Sequence, residues 1–364
     1  MLRLKLTEKI IGMYLAKPIY DIDGRLLVSQ ETVLTEPMLR NLKSKNIQFA
    51  YIDIFPDLQY DDKMFPDNQK ILLLNSIFQL HNNIKDFIRI LNEKDNRENI
   101  YRMSDQLSRE IFKIVSPLID TVFYVDETAL NYFIEYRFMF PFSINKIILN
   151  LIYASYIAKS FKLGSSDIEK LASAIILMDI GFYMLPEEYG DSGYYYLHRD
   201  VEKVKKHPAL SFEILRNIVG FDTVTASLTY MSHERIDGSG YPRKLKDEEI
   251  HPLARIIGIT DAFTELRYSP KYKSAVNPEL LYSLLNSKKF DKKISDIFLS
   301  SIPPFQIGST VFLSNGELGV VINFEKNFQF RPTVRKIDAG NLYDNIIEYN
   351  LKNDESLNIT GYVW

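Results

Sequence analysis

From about residue 126 to residue 300, apolar residues recur at helical spacing, and four ionisable side chains fall among them. Asp179 lies eleven residues, about three turns, after Ile168, on a face shared with Leu171, Ile175 and Ile176. His207 shares a face with Ile214 and Ile218. His233 follows Ala226 by seven residues and Tyr230 by three, inside a helical pattern, and Asp261 follows Ile257 by four. Carboxylates and imidazoles turned into an apolar bundle are costly unless they are paired or bind a metal. Oxygen and nitrogen donors suit Mn, Fe or Zn, and such ions activate water against phosphodiesters. Each residue alone also has a plainer reading, a satisfied core histidine or a capping aspartate.

The flanks read differently. Residues 1–56 form a small β-rich module: a strand over Ile10–Tyr20, a turn at Asp21-Ile22-Asp23-Gly24, a return strand over Leu26–Ser29, a short helix from Thr35-Glu36-Pro37 and a last strand over Gln48–Ile54. A polar stretch from Asp57 to Asp67 between Pro56 and Pro66 reads as a linker. Residues 66–125 are a helical connector with a polar break at 94–99, and residues 126–302 are the main helical domain. Past Pro303-Pro304, Asn315-Gly316 between two apolar runs is a hairpin signal, so residues 303–364 form a second small β-module. The expected fold class is mainly α.

The chain of 364 residues carries a net charge of only −3, which gives no electrostatic case for nucleic-acid binding. It has no cysteine, which excludes disulfides and thiolate metal sites and fits a cytoplasmic location. The N-terminal apolar residues are broken by Lys5, Glu8, Lys9 and Lys17, unlike a signal peptide. The longest apolar stretch, around Ile144–Ile157, is interrupted by Asn145, Lys146 and Asn150, so no membrane span is expected.

The segment Ser232-His233-Glu234-Arg235-Ile236-Asp237-Gly238-Ser239-Gly240-Tyr241-Pro242 resembles the signature of the HD-GYP family, His-His-Glu-x-x-Asp-Gly-x-Gly-Tyr-Pro. Met178-Asp179-Ile180-Gly181 looks like its His-Asp-Ile-Gly, Lys206-His207-Pro208 its next ligand motif, and Ala254 through Phe263 its last. The steps from Asp179 to His207, His233 and Asp261 are 28, 26 and 28 residues. The resemblance covers about residues 135–300, and both flanking modules are similar to ones that accompany such domains. It implies a helical HD-type phosphohydrolase fold that hydrolyses cyclic di-GMP with two or three iron or manganese ions. Asp179 would be catalytic and bridge two metals, with His207 and His233 on one ion and Asp261 on the other. Lys273 would contact the nucleotide phosphate, and Tyr241 and Pro242 would form a surface for nucleotide or for a diguanylate cyclase domain.

The chain departs from this pattern at several positions. Met178 replaces the His of the His-Asp pair, and Ser232 replaces the first His of the His-His pair. The early ligand His falls at Phe142 by the Ser143-Ile144-Asn145 match, or at Lys146 by ungapped counting from Asp179. Phe182 and Pro270 stand where basic phosphate contacts would be. The remnant Asp179, His207 and His233 could hold one Fe or Mn ion, while the losses argue against a two-metal site. Met178 and Phe182 make the pocket apolar, which predicts a raised pKa for an unmetallated Asp179. His198 and His251 are further histidines that could supplement the site. The expectation is a degenerate member that binds cyclic di-GMP or a related nucleotide, a protein partner, or both, with hydrolysis weak or lost. The alternatives are a working phosphodiesterase with a reduced site and a non-catalytic scaffold that forms a homodimer through the connector helices.

Overall fold

The computed structural model describes residues 2–53, 67–91, 97–122, 142–185, 201–218, 220–268, 278–305, 307–325, 327–337 and 346–362. Lys273, Pro270, His198 and most of the expected linker at 57–67 lie outside the described residues, as does the side chain of Phe142. The molecule is mainly helical, with small sheets before and after the helices.

The organising element is α4 (Phe142–Ser160), which follows α1 (Glu36–Ser44), α2 (Asp67–Leu91) and α3 (Arg97–Val122). Every residue from Ile144 to Ser155 is buried. A helix apolar on nearly all sides has to be enclosed. Accordingly α2, α3, α5 (Ser165–Leu177) and two later helices, α9 (Pro252–Tyr268) and α11 (Lys292–Ser301), pack on it. Each aliphatic side chain buried here, such as Leu151 or Ile157, contributes about 1.5–3 kcal/mol. Between α5 and α9 the chain forms α6 (Val201–Val204), α7 (His207–Arg216) and α8 (Thr223–Met231), and α10 (Pro278–Leu285) follows α9. Pro208 sits in the first turn of α7, where its missing N–H costs nothing. Asp222 caps α8, its carboxylate accepting from Thr225 N at 2.7 Å.

In the N-terminal part, β1 (Leu2–Lys5) pairs antiparallel with β4 (Phe49–Ile52), and β2 (Ile19–Tyr20) with β3 (Leu26–Val28). The strand expected over Ile10–Tyr20 is confined to its last two residues. Glu8–Ile10 is a 3-10 turn, and Gly12 has φ +85°, which an extended strand does not accommodate. The C-terminal part is a five-stranded antiparallel sheet in the order β8-β7-β6-β5-β9, with β5 (Thr310–Leu313) and β6 (Leu318–Asn323) joined by the expected Asn315-Gly316 turn. β7 is Thr333–Lys336, β8 Glu348–Asn350 and β9 Ile359–Tyr362.

The two β-rich parts are not independent. Val320 on β6 is buried in one cluster with Leu6, Ile10, Leu15, Leu34, Leu39 and Ile52, while its neighbour Val321 joins the helical core. Successive strand residues face opposite sides. The C-terminal sheet therefore lies between the N-terminal part and the helices.

Candidate metal centre

The centre is built where α4 faces α9. Lys146 and Asn150 are one turn apart on α4, and Asp261 and Glu265 are one turn apart on α9, so each pair shares a face. Lys146 Nζ lies 2.7 Å from Asp179 Oδ2, 3.0 Å from Asp261 Oδ1 and 3.9 Å from Glu265 Oε2. Asn150 Nδ2 donates to Asp261 Oδ1 at 3.3 Å.

Asp179 stands between α5 and the 3-10 turn Ile180–Met184. That turn is held against α7 by Gly181, whose N–H donates to Ser211 Oγ at 2.8 Å while the same hydroxyl donates to Met178 O at 2.7 Å. A Cβ on Gly181 would lie 2.0 Å from His207 O, so only glycine allows this approach. The contact brings Asp179 beside the first residue of α7, His207. His233 is two residues beyond the end of α8, in a turn rather than within the helix as its periodicity implied.

Ligand-capable atoms of Asp179, His207 and His233 lie within 4.8 Å of one another. His207 Nδ1 faces Val204 O at 2.8 Å, which directs Nε2 inward, 3.0 Å from His233 Nε2 and 3.4 Å from Asp179 Oδ1. Asp179 Oδ1 is buried and, among the described residues, accepts no well-aligned hydrogen bond. A buried carboxylate oxygen with no well-aligned donor, clustered with two imidazoles, is a donor set that fits one borderline metal ion. A second ion does not fit in the same way, because the Lys146 ammonium lies between Asp179 and Asp261.

The electrostatics reverse one expectation. Burial pushes the Asp179 carboxyl up, but Lys146 and His207 outweigh it and hold the group well below the ordinary carboxylate range. Asp261 is also lowered, with burial opposed by Lys146 and His233. The apolar surroundings of Asp179 were legible in the sequence; the ammonium that keeps it charged was not. Burial and the neighbouring His207 push His233 down to about 3, so it presents a neutral ring at pH 7.

Residues 138–294 match a family model described as an HD domain. The Gly-Tyr-Pro segment lies within the matched residues. The helical core is an HD-GYP-like domain with a reduced metal-ligand cluster. The chain is 24% identical over 219 residues to the cyclic di-GMP phosphodiesterase PdeB of Borreliella burgdorferi, covering 59% of this chain and 55% of that protein. It is 30% identical over 125 residues to the 3'3'-cGAMP-specific phosphodiesterase 3 of Vibrio cholerae, covering 34% of this chain and 27% of that protein. The solved structure of Bd1817, an HDG"Y"P protein from Bdellovibrio bacteriovorus, superposes with a TM-score of 0.43 at 15% identity, over 81% of this chain and 98% of that one. The chain spans about half the length of the first curated relatives it matches.

Within the HD-GYP-like domain the signature segment folds onto the centre. Glu234 accepts from Arg243 N at 2.7 Å and from Leu245 N at 3.0 Å, tying the end of the loop back to its start. Tyr241 stacks on His233, with ring centroids 4.9 Å apart and planes at 6°. Phe182 stacks on His207 from another side at 4.0 Å. The two aromatic rings wall the histidine pair.

The structure thus gathers Asp179, His207, His233 and Tyr241, and sets Asp261 against Lys146 rather than in the cluster. Met178 is fully buried, and Ser232 Oγ donates to Thr229 O at 2.9 Å. His251 is exposed, its Nδ1 accepting from Leu253 N at 3.2 Å, and it is outside the cluster. Lys146, Asn150 and Glu265 line the centre although the sequence reading gave none of them a role in it. Their signal was present: polar residues at i, i+4 in helices that are largely buried.

Proposed function

We propose that this chain is a degenerate HD-GYP protein of cyclic di-GMP signalling, which binds cyclic di-GMP or a related cyclic dinucleotide with hydrolysis weak or lost. The observation that carries the reading is the reduction of the donor set to Asp179, His207 and His233. One Fe or Mn ion bound there would supply Lewis-acid activation of a phosphodiester. Asp179 is the group nearest the chemistry, held ionised by Lys146. Asp261 serves the site through Lys146. Tyr241, Pro242 and Lys273 are assigned to the nucleotide, and the positions of lost ligands to Met178, Ser232 and Phe142.

The helical unit, residues 126–302, is the nucleotide-responsive part. The modules 1–56 and 303–364, with the connector 66–125, pass its state to a partner. A diguanylate cyclase domain at the Gly-Tyr-Pro surface fits the family resemblance. A homodimer fits the exposed Tyr101 and Phe112 on α3. Among the described residues no helix is long and apolar enough to cross a membrane. Cytoplasmic action remains part of the proposal.

The test is calorimetric binding of cyclic di-GMP and 3'3'-cGAMP to the purified chain, with and without Mn(II), alongside turnover of both. Micromolar binding with little or no turnover is the expected result. Robust hydrolysis abolished by Asp179→Ala would support instead a working single-ion phosphodiesterase, the reading favoured by the convergence of three ligand-capable residues. Absence of binding by any cyclic dinucleotide would leave the scaffold reading.

A further inference from the structure

Two carboxylates from different elements, Asp179 and Asp261, converge on one buried point, and the atom at that point is Lys146 Nζ, 2.7 and 3.0 Å away. The lysine side chain is 5% exposed. We propose that the Lys146 ammonium is a tethered cation standing where a second metal ion would be held, so that the centre accepts one exchangeable ion and no more. The inference rests on reading the site as a reduced metal centre and concerns only its second position.

Four observations support it. Asp179 is used as a bridging carboxylate would be: Oδ2 goes to the ammonium, and Oδ1 lies 3.4 Å from His207 Nε2. The reach is right, since an imidazole at residue 146 plus a metal–nitrogen bond of about 2.1 Å extends roughly as far from the backbone as a lysine Nζ. The charge balances, because Asp179, Asp261 and Glu265 are matched by one ammonium and one divalent ion. Ser232, at the position of a lost ligand, adds no donor here, because its Oγ is turned to Thr229 O. A covalently held cation cannot be chelated away or exchanged, and it keeps two buried carboxylates charged whether or not the other position is filled.

The experiment counts ions. The full chain, stripped of metal, is reconstituted with Mn(II), or with Fe(II) without oxygen, desalted and analysed for bound metal. Wild type is expected to retain at most about one ion per chain, and Lys146→His about one more than wild type. A second measurement compares melting of wild type and Lys146→Met. The metal-free variant should melt lower, and Mn(II) at about a hundredfold over its dissociation constant should raise its Tm by about 3–5 °C beyond the wild-type response. Two ions in wild type, or no additional ion in Lys146→His, overturns the proposal. If the histidine variant does not fold, equal Mn(II) responses of Lys146→Met and wild type overturn it. A gain of one ion in a protein that binds no cyclic dinucleotide would sink the functional reading and leave this one standing.

Discussion

His207 Nε2 and His233 Nε2 face each other at 3.0 Å, and each ring turns its other nitrogen to an acceptor. For His207 that acceptor is Val204 O at 2.8 Å; for His233 it is Asp261 Oδ2 at 3.7 Å. In the tautomers that carry the proton on both Nδ1 atoms, the two Nε2 lone pairs face each other beside Asp179 and repel unless a cation lies between them. Removing one donor from this set should be felt directly. His233→Ala is expected to weaken Mn(II) binding by more than about tenfold, measured by equilibrium titration. Unchanged affinity would place the ion elsewhere.

His81 ties the connector to the centre. Its Nε2 faces Ile176 O at 2.9 Å and its Nδ1 the Tyr183 hydroxyl at 2.7 Å, on either side of Asp179 in the chain. Burial lowers its pKa to about 4, against smaller raising effects from Ile176 O and Asp179. In the unfolded chain His81 takes up its proton near pH 6.5, and in the folded protein only near 4. Between these values the unfolded state holds more protons, so stability rises with pH. The contribution of His81 is full above about pH 6.5 and is lost as pH falls towards 4, a difference of roughly 3 kcal/mol. Urea unfolding at pH 7 and pH 4.5 should show this loss, and His81→Gln should flatten it. An equal pH dependence in the variant would refute the assignment.

The helical class, the four ionisable residues and the C-terminal hairpin were legible in the sequence because each rests on local periodicity or turn chemistry. Asn315-Gly316 needs only its neighbours to form its turn. The site was legible up to the point where it depends on helix packing. Lys146 was visible as an interruption of an apolar run and as one of two positions for a missing histidine. That its ammonium reaches Asp179 and Asp261 follows from α4 lying against α9, which no spacing within either helix encodes. The same limit hid the burial of Val320 against the N-terminal part, a contact between residues more than 250 positions apart from Leu6 to Val320.

Gly181 sets the distance between Asp179 and His207. The N–H of Gly181 reaches Ser211 Oγ, and an added methyl would meet His207 O at 2.0 Å and Ser211 N at 2.5 Å. These are backbone atoms of α7, which move only as a unit. Gly181→Ala is expected to cost about 1–3 kcal/mol in urea unfolding and to weaken Mn(II) binding in parallel. Loss of stability with metal affinity intact would mean that α7 shifts without carrying His207 away from Asp179.

Glu234 separates the architecture of the loop from the chemistry of the centre. The residue is 4% exposed, and its two oxygens accept from Arg243 N and Leu245 N, just beyond Tyr241, which lies against His233. Glu234→Gln keeps the volume but replaces one oxygen with an NH2 group, which meets a backbone N–H donor to donor. One buried N–H then loses its acceptor, at a cost of about 1–3 kcal/mol. Glu234 supplies no atom to the Asp179–His207–His233 cluster, so Mn(II) affinity should change by less than about tenfold. Cyclic di-GMP binding should fall more than Mn(II) binding, because the loop that seats Tyr241 and Pro242 is loosened while the donor atoms keep their places. Calorimetry with each ligand on the same preparation checks this, and an equal loss of both would show that the loop and the metal position are a single unit.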